Sequence, residues 1–161
     1  TTFPALSPSL AVLLWEHSLT IAVAESASGG LLSHLITNVA GSSDYFKGSV
    51  VAYDNDIKAK VLGVSRKTLK RYGAVSYQTA EEMAQGVRRL MNANIGLSVT
   101  GIAGPTGATP EKPVGLFYIG IASELGTKAV ERIFAGDRLQ NKRSAAEIAL
   151  LILKEHLLKL K

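Results

Sequence analysis

The sequence predicts an α/β fold in three layers, with helices covering both faces of a mixed, mostly parallel five-stranded sheet in which one strand is antiparallel. Three observations lead there. Short apolar runs at residues 20–25, 48–53 and 95–99 read as strands buried on both faces. Stretches of helical apolar spacing separate them. Two further runs, 114–123 and 128–134, lie close enough around Gly126 to form a hairpin, which reverses one strand.

Taken in order, residues 10–17 carry an apolar helical stripe behind the caps Ser7 and Ser9. The strand at 20–25 stops at Ser26-Ala27-Ser28-Gly29-Gly30, after which Leu31, Leu32, Leu35, Ile36 and Val39 recur at helical spacing. Gly41-Ser42-Ser43 breaks that helix, and Tyr45-Phe46 leads into the second strand. Asp54 or Asn55 caps a short helix that Gly63 stops, and another short helix starts at Ser65. A longer helix over 76–92 has Thr79-Ala80-Glu81-Glu82 in the pattern of a capping box and Met83, Val87, Leu90 and Met91 as its inner stripe. The third strand opens into a glycine-, threonine- and proline-rich stretch at 98–115, long for a compact domain and suited to bringing backbone N–H groups close to a ligand. Gly136-Asp137-Arg138 ends the last strand, and 144–160 is the closing helix. With no repeat and no interior linker, residues 1–161 read as a single domain. In such sheets ligands collect beyond the carboxyl ends of the parallel strands, where Ser26, Tyr53 and Thr100 are expected.

At 161 residues the chain can bury roughly two thirds of the surface its unfolded form exposes. It has no cysteine, which removes disulfide and thiolate chemistry. No apolar run reaches the roughly 20 residues that span a bilayer, and no signal-peptide pattern opens the sequence, so a cytoplasmic location without membrane partners is expected. A net charge of +5 favours anionic partners. The clusters Arg66, Lys67, Lys70, Arg71 and Lys154, Lys159, Lys161 lack interleaved aromatics, so solvated helix faces explain them better than nucleic-acid binding.

Several residues carry possible chemistry. The turn Ser26–Gly30 combines hydroxyls, a pliable backbone and a helix start, as a phosphate site or an ordinary cap would. It is neither a GxGxxG nor a P-loop, which argues against a dinucleotide or ATP site. Lys58 shares a stripe with Ile57, Val61 and Leu62; in a first helical turn the dipole lowers its pKa, so it reads either as an inward general base or as a snorkelling surface lysine. Ser26, Ser28, Ser42, Ser43 and Thr100 are the hydroxyls expected near it, and a Ser-Lys pair is a known variant of serine catalysis. His17, His34 and His156 lack ligand spacing, so neither a zinc site nor a Ser-His-Asp triad is expected. Arg138 could clamp a phosphate or carboxylate, or pair with its neighbour Asp137.

The blocks Ala24-Glu25-Ser26-Ala27-Ser28-Gly29-Gly30, Ala40-Gly41-Ser42-Ser43-Asp44-Tyr45-Phe46, Val51-Ala52-Tyr53-Asp54-Asn55-Asp56-Ile57-Lys58, Gly73-Ala74-Val75-Ser76, the 98–115 stretch and Phe134-Ala135-Gly136-Asp137-Arg138 resemble the CinA C-terminal domain family. The resemblance spans nearly the whole chain. It implies hydrolysis of the carboxamide of nicotinamide mononucleotide to nicotinic acid mononucleotide and ammonia, with neither metal nor cofactor, by a homodimer or larger homo-oligomer. It casts Ser43 as nucleophile, with Ser26 as the alternative, Lys58 as general base, Tyr53 and Ser26 as members of the hydrogen-bonded site, and Thr100 with the adjoining loop as carbonyl-polarising. Ser28, Gly29, Gly30, Gly101, Ala103, Gly104 and Arg138 would bind substrate. Where the family usually reads Glu-Ser-Cys-Thr-Gly-Gly, this chain has Ala27 and Ser28, and Ala108 replaces a frequent third loop glycine. The alternative is a non-catalytic nucleotide-binding accessory module, which would bind without turnover.

Overall fold

The computed structural model describes residues 8–160; the proposed cap Ser7 and the terminal Lys161 lie outside them. In chain order the elements are α1 (Pro8–Glu16), β1 (Ile21–Glu25), α2 (Leu31–Thr37), a 3₁₀ turn (Ser42–Asp44), β2 (Phe46–Val51), α3 (Asn55–Leu62), α4 (Arg66–Tyr72), α5 (Tyr77–Leu90), β3 (Ile95–Gly101), β4 (Leu116–Ser123), β5 (Gly126–Ile133) and α6 (Arg138–Leu158). They form one five-stranded sheet in the order β2-β1-β3-β4-β5. β1 pairs in parallel with β2 and β3, while β4 is antiparallel to both β3 and β5. The single reversed strand is therefore β4, because a loop rather than a crossover helix returns the chain to β3's side.

Alternation along β1 sorts the two helical layers. Ile21 and Val23 join Leu14, Leu32, Ile36, Leu97, Ile119 and Leu153 in the core beneath α1, α2 and α6. Ala22 and Ala24 face the other way, with Ala52, Leu62, Met83 and Val87 beneath α3 and α5. The small residues on this second face let helices approach closely. At Gly86 an added Cβ would stand 1.8 Å from the Leu62 carbonyl oxygen, so α5 seats α3 at a distance only glycine permits.

Several boundaries differ from the periodicity. α6 starts at Arg138 rather than near 144, because Asp137 and Gln140 form a capping box whose side-chain bonds, each 2.9 Å, begin the helix ahead of its apolar stripe. The start of α5 is fixed by Ser76, whose Oγ accepts from Thr79 N at 3.1 Å. Glu82 is drawn away from any box there: its carboxylate accepts from Ser65 N at 2.8 Å and Thr68 Oγ at 2.6 Å, joining α5 to α4. β3 runs on through Thr100 and Gly101, which shortens the free loop to 102–115. Asp54 caps α3 through Asp56 N at 2.6 Å, and Gly63 closes it at φ +74°, both as expected.

Candidate active site

Parallel pairing brings the carboxyl ends of β1, β2 and β3 to one rim. Glu25 is in register with Val51 and with Val99, so Ser26 and Thr100 are neighbours at about the 4.8 Å strand spacing. Alternation along β3 turns Thr100 to the α5 side, and both Ser26 and Thr100 are buried. Tyr53 follows β2 at the same rim and is 60% exposed.

Lys58 is the unusual member. It is only 1% exposed, and Nζ donates to the Tyr53 carbonyl at 3.1 Å. Its place on α3 follows from the Asp54 cap, which sets the helix start, and from the Gly86 contact, which sets its depth. Burial pushes its pKa below that of an ordinary lysine, against the opposing pull of the Asp54 carboxylate. A buried amine with one neutral acceptor and a lowered pKa is equipped to accept a proton. Of the two sequence readings, the inward lysine is the one the fold forms.

The 102–115 loop and the start of α6 wall the site. Arg138 donates to the Gly104 carbonyl at 2.7 Å and to the Tyr53 hydroxyl at 3.0 Å. Asn141, fully buried and overlooked in the sequence, donates to the Ala103 carbonyl at 3.1 Å and accepts from Gly136 N at 3.0 Å. Thr100 Oγ donates to the Ala74 carbonyl at 2.8 Å, which brings the Gly73–Ser76 block to the rim. The Lys112 ammonium donates to the Tyr72 carbonyl and holds the loop's far side. Gly115, at φ +90°, has the Phe134 carbonyl oxygen 1.8 Å from where a Cβ would be, so the loop can re-enter the sheet only through glycine. The Gly104–Pro105 peptide is cis.

The fold bears on three of the site expectations. Ser43 does not share the rim. It is exposed in the 3₁₀ turn before β2, whose first residue Phe46 is level with Ile21 at the start of β1. The six residues of β2 separate that turn from the Tyr53 end by about 20 Å along the strand, so Ser43 stands at the other end of β2 from the segment that leads into α3. Ser42 lies in the same turn. The start of α2 is not open to a phosphate: the Glu25 carboxylate accepts from Gly30 N at 3.2 Å, Leu32 N at 2.9 Å, Ser33 N at 3.0 Å and the Ser33 hydroxyl. An acid at the end of a buried strand, just ahead of a helix start, is the signal that could have shown this. Finally, Gly101 lies within the ladder opposite Phe117, whose ring occupies the place of a side chain. The carbonyls of Ala103 and Gly104 are held by α6, and the Thr100 hydroxyl is already donating.

Among the described residues no group of three or more His, Asp or Glu side chains gathers as metal ligands, and no helix is long and apolar enough to cross a membrane. A cavity of about 570 Å³ lined by Gln85, Arg88, Arg89 and Asn92 opens at the other end of the sheet, away from Lys58.

These features define an α/β protein with a buried lysine on the helix that follows the second strand and with Ser26 and Thr100 side by side at the carboxyl rim of its sheet. The chain belongs to the CinA C-terminal domain family, whose model matches residues 5–157. A CinA-like protein of Dictyoglomus thermophilum is 52% identical over 150 residues, 92% of this chain and 36% of that protein. The chain thus spans little more than a third of the curated relatives it matches. The crystal structure of the competence/damage inducible protein CihA from Agrobacterium tumefaciens superposes with TM-score 0.91 at 36% identity, covering 96% of this chain and 98% of that one. The competence damage-inducible protein A structure from Klebsiella pneumoniae gives TM-score 0.93 at 29% identity, covering 97% of both chains.

Proposed function

We propose that the rim hydrolyses a carboxamide, with nicotinamide mononucleotide as substrate, nicotinic acid mononucleotide and ammonia as products, and Lys58 as the base. The observation that carries this is Lys58 itself, buried, donating to one carbonyl and depressed in pKa, on the helix that follows the Tyr53 end of β2. Within one chain the hydroxyl this reading assigns to it is Ser26, which directly follows β1 at the carboxyl rim, whereas Ser43 stands before β2 at the other end. Lys58 takes the Ser26 proton, and the Ser26 oxygen bonds to the carboxamide carbon. The carbonyl electrons move to oxygen, where Thr100, released from Ala74, donates to the developing charge. The C–N bond then breaks, its nitrogen takes the proton from Lys58, and ammonia leaves. Water, deprotonated by Lys58, cleaves the resulting ester; the acid departs and Ser26 regains its proton.

Ser43 enters this chemistry only if a second copy turns its 3₁₀ turn toward the Lys58 rim, as the expected homo-oligomer would have to do. Ammonia release from nicotinamide mononucleotide tests both points. Turnover by wild type that is lost in Lys58→Met and Ser26→Ala supports the single-chain site. Loss in Ser43→Ala, regained on mixing that variant with Lys58→Met, moves the nucleophile to the partner copy. Binding without ammonia release favours the accessory-module reading and ends the amidase one.

A further inference from the structure

The nucleotide reading leaves its phosphate without a partner, because Glu25 occupies the helix start that the sequence offered. One turn beyond Arg138 on α6 stands Lys142, half-buried, with Nζ 3.6 Å from where a Cβ on Gly29 would sit. The spacing of four places Arg138 and Lys142 on one side of the helix. Arg138 reaches Tyr53 and Gly104 at the rim, and Lys142 lies against the Ser26–Gly30 turn.

Asp56 pairs with Lys60 and Arg66, and among the described residues no carboxylate pairs with Arg138 or Lys142. Asp137, the nearest acid on α6, caps the helix through Gln140 N, and the Glu25 carboxylate is turned into α2. Ser28, between Ala27 and Gly29 in the same turn, is fully buried with an Oγ that has no hydrogen-bond partner. A buried hydroxyl without a partner carries a desolvation cost that a ligand acceptor would relieve. Gly29, at φ +61°, keeps the space in front of the ammonium free of a side chain.

We infer that Lys142, together with Arg138 and the Ser28–Gly29 turn, forms the subsite for the phosphate of a nucleotide, a doubly charged monoester. The ammonium supplies a point charge, the guanidinium a planar donor set and the turn a hydroxyl donor. Lys142 is thus the residue that separates nucleotides from nucleosides at this rim. The inference rests on the nucleotide half of the proposed function and not on turnover.

Calorimetric titration in the Lys58→Met background, where substrate survives, tests it with nicotinamide mononucleotide, nicotinamide riboside and inorganic phosphate. The mononucleotide is expected to bind at least about tenfold tighter than the riboside, with inorganic phosphate competing. Lys142→Ala should cut mononucleotide affinity about tenfold and bring it close to that of the riboside, and Lys142→Arg should restore most of it. Circular dichroism on each variant establishes that it is folded. Equal mononucleotide affinity in folded Lys142→Ala, or no preference for the phosphorylated ligand in the parent, overturns the subsite. Phosphate-dependent binding by a wild-type protein that releases no ammonia leaves the subsite standing and removes only the amidase reading.

Discussion

Lys58 shows how a residue's neighbours set its chemistry. A lysine on a short helix has an ordinary value of 10.5 when solvated; burial under α3 lowers it. A base must be neutral to accept a proton, so activity should fall as pH drops through this depressed value, giving an acid limb that starts below 10.5. The same shift has a sign for stability. Between the folded pKa and 10.5 the unfolded chain binds more protons, so stability rises with pH across that window. Lys58→Met should lower the rate of ammonia release by about 10³-fold and flatten the rise, read by urea unfolding from neutral to alkaline pH. A rise that persists in the variant would place its origin elsewhere.

At the scale of elements, the site depends on two supports remote from the reacting atoms. The Glu25 carboxylate ties the end of β1 to the first turn of α2 through three backbone N–H groups and the Ser33 hydroxyl. Glu25→Gln keeps the shape and removes the charge, which should cost about 2 kcal/mol in urea unfolding, with faster hydrogen exchange at Leu32 and Ser33. α5 supports α3 through Gly86. Gly86→Ala forces a methyl toward the Leu62 carbonyl and should cost about 1–3 kcal/mol while lowering turnover, since displacing α3 moves Lys58. Unchanged turnover in Gly86→Ala would separate the packing of α3 from the placement of the base. Both supports were visible in the sequence only as residues inside matching blocks or helices, without a role. A buried acid shows its acceptors only once the following helix is folded over it, and a helix glycine shows its purpose only when a neighbouring carbonyl is present.

The whole molecule is a sheet with three inner strands and two outer ones, β2 and β5. β1, β3 and β4 are buried almost throughout, whereas β2 and β5 are partly exposed. Amides of the inner strands should exchange only on global unfolding and those of β2 and β5 by local opening, a difference native-state hydrogen exchange reads directly. Uniform protection of β2 would show that a second copy covers that edge. At this scale the sequence by itself determined the order of strands and helices, the hairpin with its reversed strand, the Asp54 cap, and the meeting of Ser26, Tyr53 and Thr100 at one rim. It could do so because apolar period, glycine stops and parallel-sheet geometry are local or general rules. Tertiary structure alone decided that Ser43 and Tyr53 lie at opposite ends of β2, that Glu25 fills the start of α2, that Asn141 and Arg138 hold the loop, and that Lys142 faces Gly29. Each of these depends on which end of an element, or which side of a helix, is brought against another, and that is set by packing between segments far apart in the chain.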